Sequence, residues 1–151
     1  MLTQLTPEQI SKFWDVIRFA IEESLPPIAH DHPDKMGRVL GALLSGRAQC
    51  WASYIRNKEN IKFEAIVVTR IIYDDISGTK NLLIYCLYGF REINKDSWMR
   101  GLLSLLKFAK GKGCLQVIAY TNIPYVVKKV ESLSGSSSYT FIRFDVDKLV
   151  K

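Results

Sequence analysis

Residues Leu82–Tyr120 read LLIYCLYGFREINKDSWMRGLLSLLKFAKGKGCLQVIAY. An apolar run rich in Ile, Leu and Tyr, Leu82–Phe90, leads through a polar loop into a helical pattern with Trp98, Leu102, Leu105, Leu106 and Ala109 on one face. Gly111-Lys112-Gly113 then turns the chain into a second apolar run, Leu115–Tyr120, which reads as a buried strand. Two strands joined by a single helix make a right-handed crossover and so run parallel. The loop-to-helix junction also matters, because the first N–H groups of a helix lack partners and carry the positive end of its dipole, which suits phosphate.

Working back from this unit, Phe63–Tyr73 and Ala48–Ile55 are further strand-like runs, separated by the turn residues Arg56–Asn60 and Asp74–Lys80. With Leu82–Phe90 they predict a three-stranded antiparallel meander. Ahead of it, Thr6-Pro7-Glu8-Gln9 is a helix start with a capping residue, Pro at the first position and Gln where a capping box needs it. Apolar residues from Ile10 to Leu25 continue that helix until Pro26-Pro27, and Met36 to Leu44 mark a second helix ending at Gly46. A short strand at Met1–Leu5 precedes both. Beyond the quoted unit, Pro124–Leu133 predicts a helix, Ser134–Ser138 a Gly/Ser loop and Tyr139–Val146 a final strand. The expected class is α/β (α+β): one domain, with a mixed, mostly antiparallel central sheet.

The chain has 151 residues, 48% of them hydrophobic, enough for one domain with a sizeable core. Its longest apolar run is far shorter than a membrane span and no basic-then-apolar leader opens it, so a soluble, cytoplasmic protein is expected, without membrane contact. Cys50, Cys86 and Cys114 lie in or beside apolar runs without metal-ligand spacing, as small buried residues do. His30 and His32, with Asp31 and Asp34 close by, lack a third His or a Cys, and no metal site is expected. The net charge of +6 is uneven: residues 1–34 carry two basic and six acidic side chains, hence −4, which leaves +10 on the remainder. Such a contrast offers docking to a protein partner or self-association. Basic residues alternate with aromatics in Trp51–Phe63, but Trp and Tyr are ordinary strand residues and nucleic acid is not expected. No nucleophile elbow, P-loop or Cys-x-x-Cys pair is present.

The element order resembles the GNAT N-acetyltransferase superfamily over nearly the whole chain. MLTQLTPEQISKFWDVI is similar to that family's first strand and first helix, and LLSLLKFAKGKGCLQVIAYTNIPYVVKKVESL to its helix, strand and helix after the cofactor loop. The resemblance implies helices on both faces of the sheet, strands four and five that are parallel and splay apart, acetyl-CoA in the gap between them, and a loop of the pattern Arg/Gln-x-x-Gly-x-Gly/Ala whose N–H groups hold the pyrophosphate. That loop falls on Asn94–Met99, where Asn94 replaces the Arg or Gln, Ser97 the first glycine and Met99 the second small residue. Met99 adds bulk and Asp96 a negative charge, worth on the order of 1 kcal/mol of repulsion at a partly exposed site. Asp96 or Ser97 is then expected to cap the helix instead. If a cofactor does bind, the resemblance places it against Phe90, Arg91, Lys95, Ser97, Trp98, Arg100 and Asn122. The family's general-acid Tyr falls on Lys129, with Tyr125 one turn earlier as its substitute; Glu64, Glu92, Asp74 and Asp75 are the carboxylates near strand ends for a general base. Two functions follow: a non-catalytic or weakly active protein acting through protein contacts, as an accessory or assembly component, or an acyl-CoA-dependent N-acyltransferase acting on an amine.

Overall fold

The computed structural model describes residues 1–150. They fall into two compact units, Met1–Ala119 and the residues from Tyr120 on. The first opens with β1 (Leu2–Gln4), followed by α1 (Pro7–Lys12), α2 (Trp14–Glu22) and α3 (Lys35–Leu44). It continues through β2 (Gln49–Asn57), β3 (Asn60–Asp74), β4 (Thr79–Gly89), α4 (Lys95–Gly111) and β5 (Gln116–Ala119).

The capping box forms as the sequence predicts. Thr6 Oγ1 accepts from the Gln9 N–H at 3.2 Å and Gln9 Oε1 accepts from the Thr6 N–H at 2.9 Å. The single helix expected from Ile10 to Leu25 is instead two, broken at Phe13, whose φ of −105° and ψ of 20° leave the helical range. Phe13 is held there by packing, its ring edge-on to Phe63 with centroids 5.2 Å apart. Gly46, with φ +81°, follows the C-cap Ser45 of α3 in the left-handed conformation that glycine adopts without strain.

The strands form one sheet in the order β1-β2-β3-β4-β5, antiparallel throughout except for the parallel pair β4-β5. Alternate residues of each strand face opposite sides. On one side Cys50, Ala52, Ile66, Val68 and Cys86 pack with Ile10, Ile17, Ile21 and Leu43 of α1–α3. On the other, Trp51, Val67 and Leu82 pack with Leu105 and Ala109 of α4. Helices thus cover both faces. No helix among the described residues is long and apolar enough to cross a membrane.

Two bulges interrupt the ladders. Ser53 pairs with Ala65 but Tyr54 with Phe63, leaving Glu64 as an extra residue on β3. Val68 pairs with Cys86 but Thr69 with Ile84, leaving Tyr85 extra on β4. The parallel ladder with β5 ends at Ile84↔Ala119, directly before that second bulge. An inserted residue bends and twists its strand, so β4 loses its β5 partner where the bulge turns it.

The second unit holds α5 (Pro124–Ser132) and α6 (Val146–Leu149). The strand predicted at Tyr139–Val146 does not form: the chain is irregular to Asp145, and Tyr139, Ile142 and Phe144 are largely exposed. Strand preference is mostly a matter of packing on a neighbour, and no described residue pairs with this segment. Leu115–Tyr120 is also shorter and less buried than expected, with only Gln116–Ala119 in the sheet and Leu115 73% exposed.

Candidate functional site

The loop from β4 to α4 collects most of the expected site residues. The Phe90 N–H donates to the carbonyl of the bulge residue Glu64 at 2.9 Å, fixing the loop's first residue to β3. Phe90 also stacks edge-on against Tyr88, centroids 5.0 Å apart. Next, Arg91 Nη2 donates to Glu64 Oε2, and Ser53 Oγ donates to Glu64 Oε1 at 3.2 Å. Both carboxylate oxygens of Glu64 are therefore engaged, and the Arg91 charge is matched. Glu92 is exposed and none of the hydrogen bonds or ion pairs among the described residues involves its side chain.

The start of α4 is capped by Asn94, whose Oδ1 accepts from the Ser97 N–H at 2.9 Å. This corrects the expectation of Asp96 or Ser97 as the cap. The extended backbone of Asn94, φ −72° and ψ 165°, suits an N-cap, whereas the helix already begins at Lys95. Asp96 lies inside the first turn, where its charge complements the dipole. Ser97 is occupied at both groups, since its Oγ accepts from Arg100 Nη2 at 3.4 Å. Trp98 is half-buried, while Lys95, Met99 and Arg100 are exposed.

The two buried thiols, Cys50 and Cys86, are not part of this chemistry. Burial pushes Cys50 from its ordinary value of 9.0 up to about 12 and Cys86 to about 11, which keeps both protonated and unreactive at neutral pH. Asp74 is held below the usual carboxylate value by hydrogen bonds from Ser77 Oγ at 2.6 Å and the Ile76 N–H at 3.2 Å, and serves the β3–β4 turn. Asp75 in the same turn is exposed.

No protein-family model matches the chain, and no curated protein matches its sequence. Solved structures do match. An aminoglycoside acetyltransferase from an uncultured soil metagenomic sample, solved with sisomicin, superposes with a TM-score of 0.68 at 15% identity over 96% of this chain and 93% of its own. The Trypanosoma brucei acetyltransferase gives 0.65 at 13% identity, covering 96% and 98%. An aminoglycoside N-acetyltransferase in complex with CoA gives 0.64 at 11% identity, covering 96% and 98%. The fold is that of the GNAT N-acetyltransferases.

Within this GNAT fold the remaining expected residues lie in the second unit. Asn122 is exposed in the segment before α5. Tyr125, 52% exposed, lies in the first turn of α5, and the Lys129 ammonium sits 5.6 Å from its ring centroid. The residue at the expected general-acid position thus covers the Tyr one turn before it, a cation–π contact worth about 0.5–1 kcal/mol at an exposed site.

Sequence reasoning missed three features. Asn94, at the position where the resemblance expects Arg or Gln, is the helix cap. The bulges at Glu64 and Tyr85 carry no glycine or proline to mark them. A third feature, a cavity against α3, gathers basic residues from distant parts of the sequence; its one local signal is Arg70, the single charge in the run Val67–Ile72.

Proposed function

We propose that this chain is a GNAT-fold protein that acts through protein contacts and has lost the pyrophosphate subsite of acyl-CoA. The observation that carries this reading is the start of α4. Asn94 takes the Ser97 N–H, and Asp96 already supplies the negative charge that the helix dipole attracts. A pyrophosphate would have to displace the first and be repelled by the second; of the flanking cations, Arg91 is matched by Glu64 and Arg100 Nη2 already donates to Ser97 Oγ, which leaves Lys95 alone to offset Asp96. The residues present do not fit that group. Contacts with protein are supported by Met99, Leu103 and Leu106, spaced to form one stripe along α4 and exposed by 45%, 46% and 42%. The acidic first segment and basic remainder supply the complementary charge for self-association.

The second reading, an acyl-CoA-dependent N-acyltransferase, is favoured by the end of the β4–β5 ladder at the Tyr85 bulge and by a neighbour of the same fold solved with CoA. It requires Glu64 to leave Arg91 before acting as a base, or Glu92 to act from solvent.

Calorimetric titration with acetyl-CoA, run beside light scattering over a concentration series, separates the two. The proposal expects no heat and no thermal stabilisation at millimolar acetyl-CoA, and a mass that rises with concentration. Saturable binding, or a monomer at every concentration, overturns it.

A further inference from the structure

We propose that the cavity between α3 and the sheet is a binding site for a small polyanion, a molecule carrying two or more phosphate or carboxylate groups. The cavity measures about 600 Å³, within the range of small-molecule sites. His30, His32, Lys35, Arg38, Arg47 and Arg70 line it, over an apolar floor that includes Val39, Val68 and Ile71. Among the described residues no carboxylate lines it.

These groups come from four separate segments: the loop before α3, α3 itself, the residues entering β2, and β3. Their convergence is a product of the fold, unlike the charge run of one solvated helix face. Arg38, Arg47 and Arg70 take part in none of the ion pairs among the described residues. Lys35 has only Asp31, 3.3 Å away and fully exposed, a pair that contributes little. Arg47 Nε donates to Ser45 Oγ at 3.2 Å, which leaves its terminal nitrogens available. Four unmatched or weakly matched cations around one concavity repel one another, and a bound anion relieves that repulsion. Arginine adds forked donors that match phosphate and carboxylate geometry.

Two further groups suit the same ligand. Tyr85, the β4 bulge residue, lines the cavity, and burial raises its phenol above the ordinary value while Arg70 pulls the other way, so the hydroxyl remains a donor at neutral pH. His32 Nδ1 accepts the Asp34 N–H at 3.2 Å, leaving Nε2 to carry the ring proton as a donor. Nucleic acid fits less well: the cations converge on a cavity instead of tracking a groove, and Tyr85 is the sole Phe, Tyr or Trp in its lining.

This site shares Tyr85 with the bulge that ends the β4–β5 ladder, but none of its cations belongs to the start of α4. Calorimetry with inorganic pyrophosphate and with citrate as probes, at fixed ionic strength, distinguishes phosphate from carboxylate preference; a single-stranded oligonucleotide forms a third arm. One-site binding of at least one small probe is expected, weakened at least tenfold in Arg38→Gln/Arg70→Gln and unchanged in Lys62→Gln/Lys107→Gln, which removes the same charge elsewhere. Absence of saturable binding by either probe, equal loss in both double variants, or an oligonucleotide bound more tightly than either probe and unaffected by Arg38→Gln/Arg70→Gln would overturn the proposal. Unchanged circular dichroism of each variant ties the loss to the site.

Discussion

Thr69 is fully buried in β3 and accepts a hydrogen bond from Trp51 Nε1 at 3.0 Å while donating to Gln49 Oε1 at 2.9 Å. One hydroxyl thus satisfies two buried polar groups on neighbouring β2, and the Trp51 ring it anchors packs edge-on to Phe108 of α4, centroids 5.1 Å apart. Thr69→Val keeps the shape but leaves both partners unpaired, and should cost about 2 kcal/mol in chemical denaturation. Thr69→Ser should recover most of the loss. A Val variant within 0.5 kcal/mol of wild type, well under the roughly 1–3 kcal/mol of an unpaired buried donor, would mean that water replaces the hydroxyl. Residue-scale facts of this sort were only partly legible in the sequence. The Thr6 capping box could be read from spacing because both partners are local. The Trp51–Thr69–Gln49 chain and the Glu64–Arg91 pair could not, because each depends on a strand register, and in the second case on a bulge.

Helix ends carry the next set of effects. α4 and α5 close with the same hydrogen bonds: Gly113 N–H to Lys110 C=O and Cys114 N–H to Ala109 C=O in the first, Ser134 N–H to Glu131 C=O and Gly135 N–H to Val130 C=O in the second. The residue in the left-handed conformation is Gly113 in α4, φ +75°, but Ser134 in α5, φ +69°. A side chain there costs roughly 1 kcal/mol that glycine avoids. Ser134→Gly should therefore slow hydrogen exchange of the α5 amides about fivefold, the equivalent of about 1 kcal/mol. Unchanged or faster exchange would show that glycine's greater unfolded-state freedom cancels the gain. At this scale the sequence was most readable where punctuation residues stand, as at Gly46, Gly111-Lys112-Gly113 and Pro124. It misled where an apolar alternation, Tyr139–Val146, had no strand to pair with, and where Phe13 broke a helix whose periodicity ran on unchanged.

For the molecule as a whole, the sequence carried the order of elements from β1 to α5, apart from the break at Phe13, and the parallel β4–β5 pair, since these follow from local periodicity and connection length. It did not reveal the basic cavity, whose residues span Ala29 to Tyr85 and meet only through the sheet. Charge and burial also set the response to pH. Cys50 and Cys86 have folded-state values raised from 9.0 to about 12 and about 11, so the stability they contribute is intact below pH 9.0 and is lost as the pH climbs through that interval. Urea midpoints should hold to about pH 9 and then decline, less steeply in a Cys50→Ala/Cys86→Ala variant; equal slopes would show that other groups govern alkaline unfolding. The claim that the helix start rejects a pyrophosphate is tested most directly by amide chemical shifts of Asn94–Trp98 during titration with CoA. The account predicts that these amides stay in place at millimolar CoA, and saturable shifts centred on Lys95, Asp96 and Ser97 would contradict it.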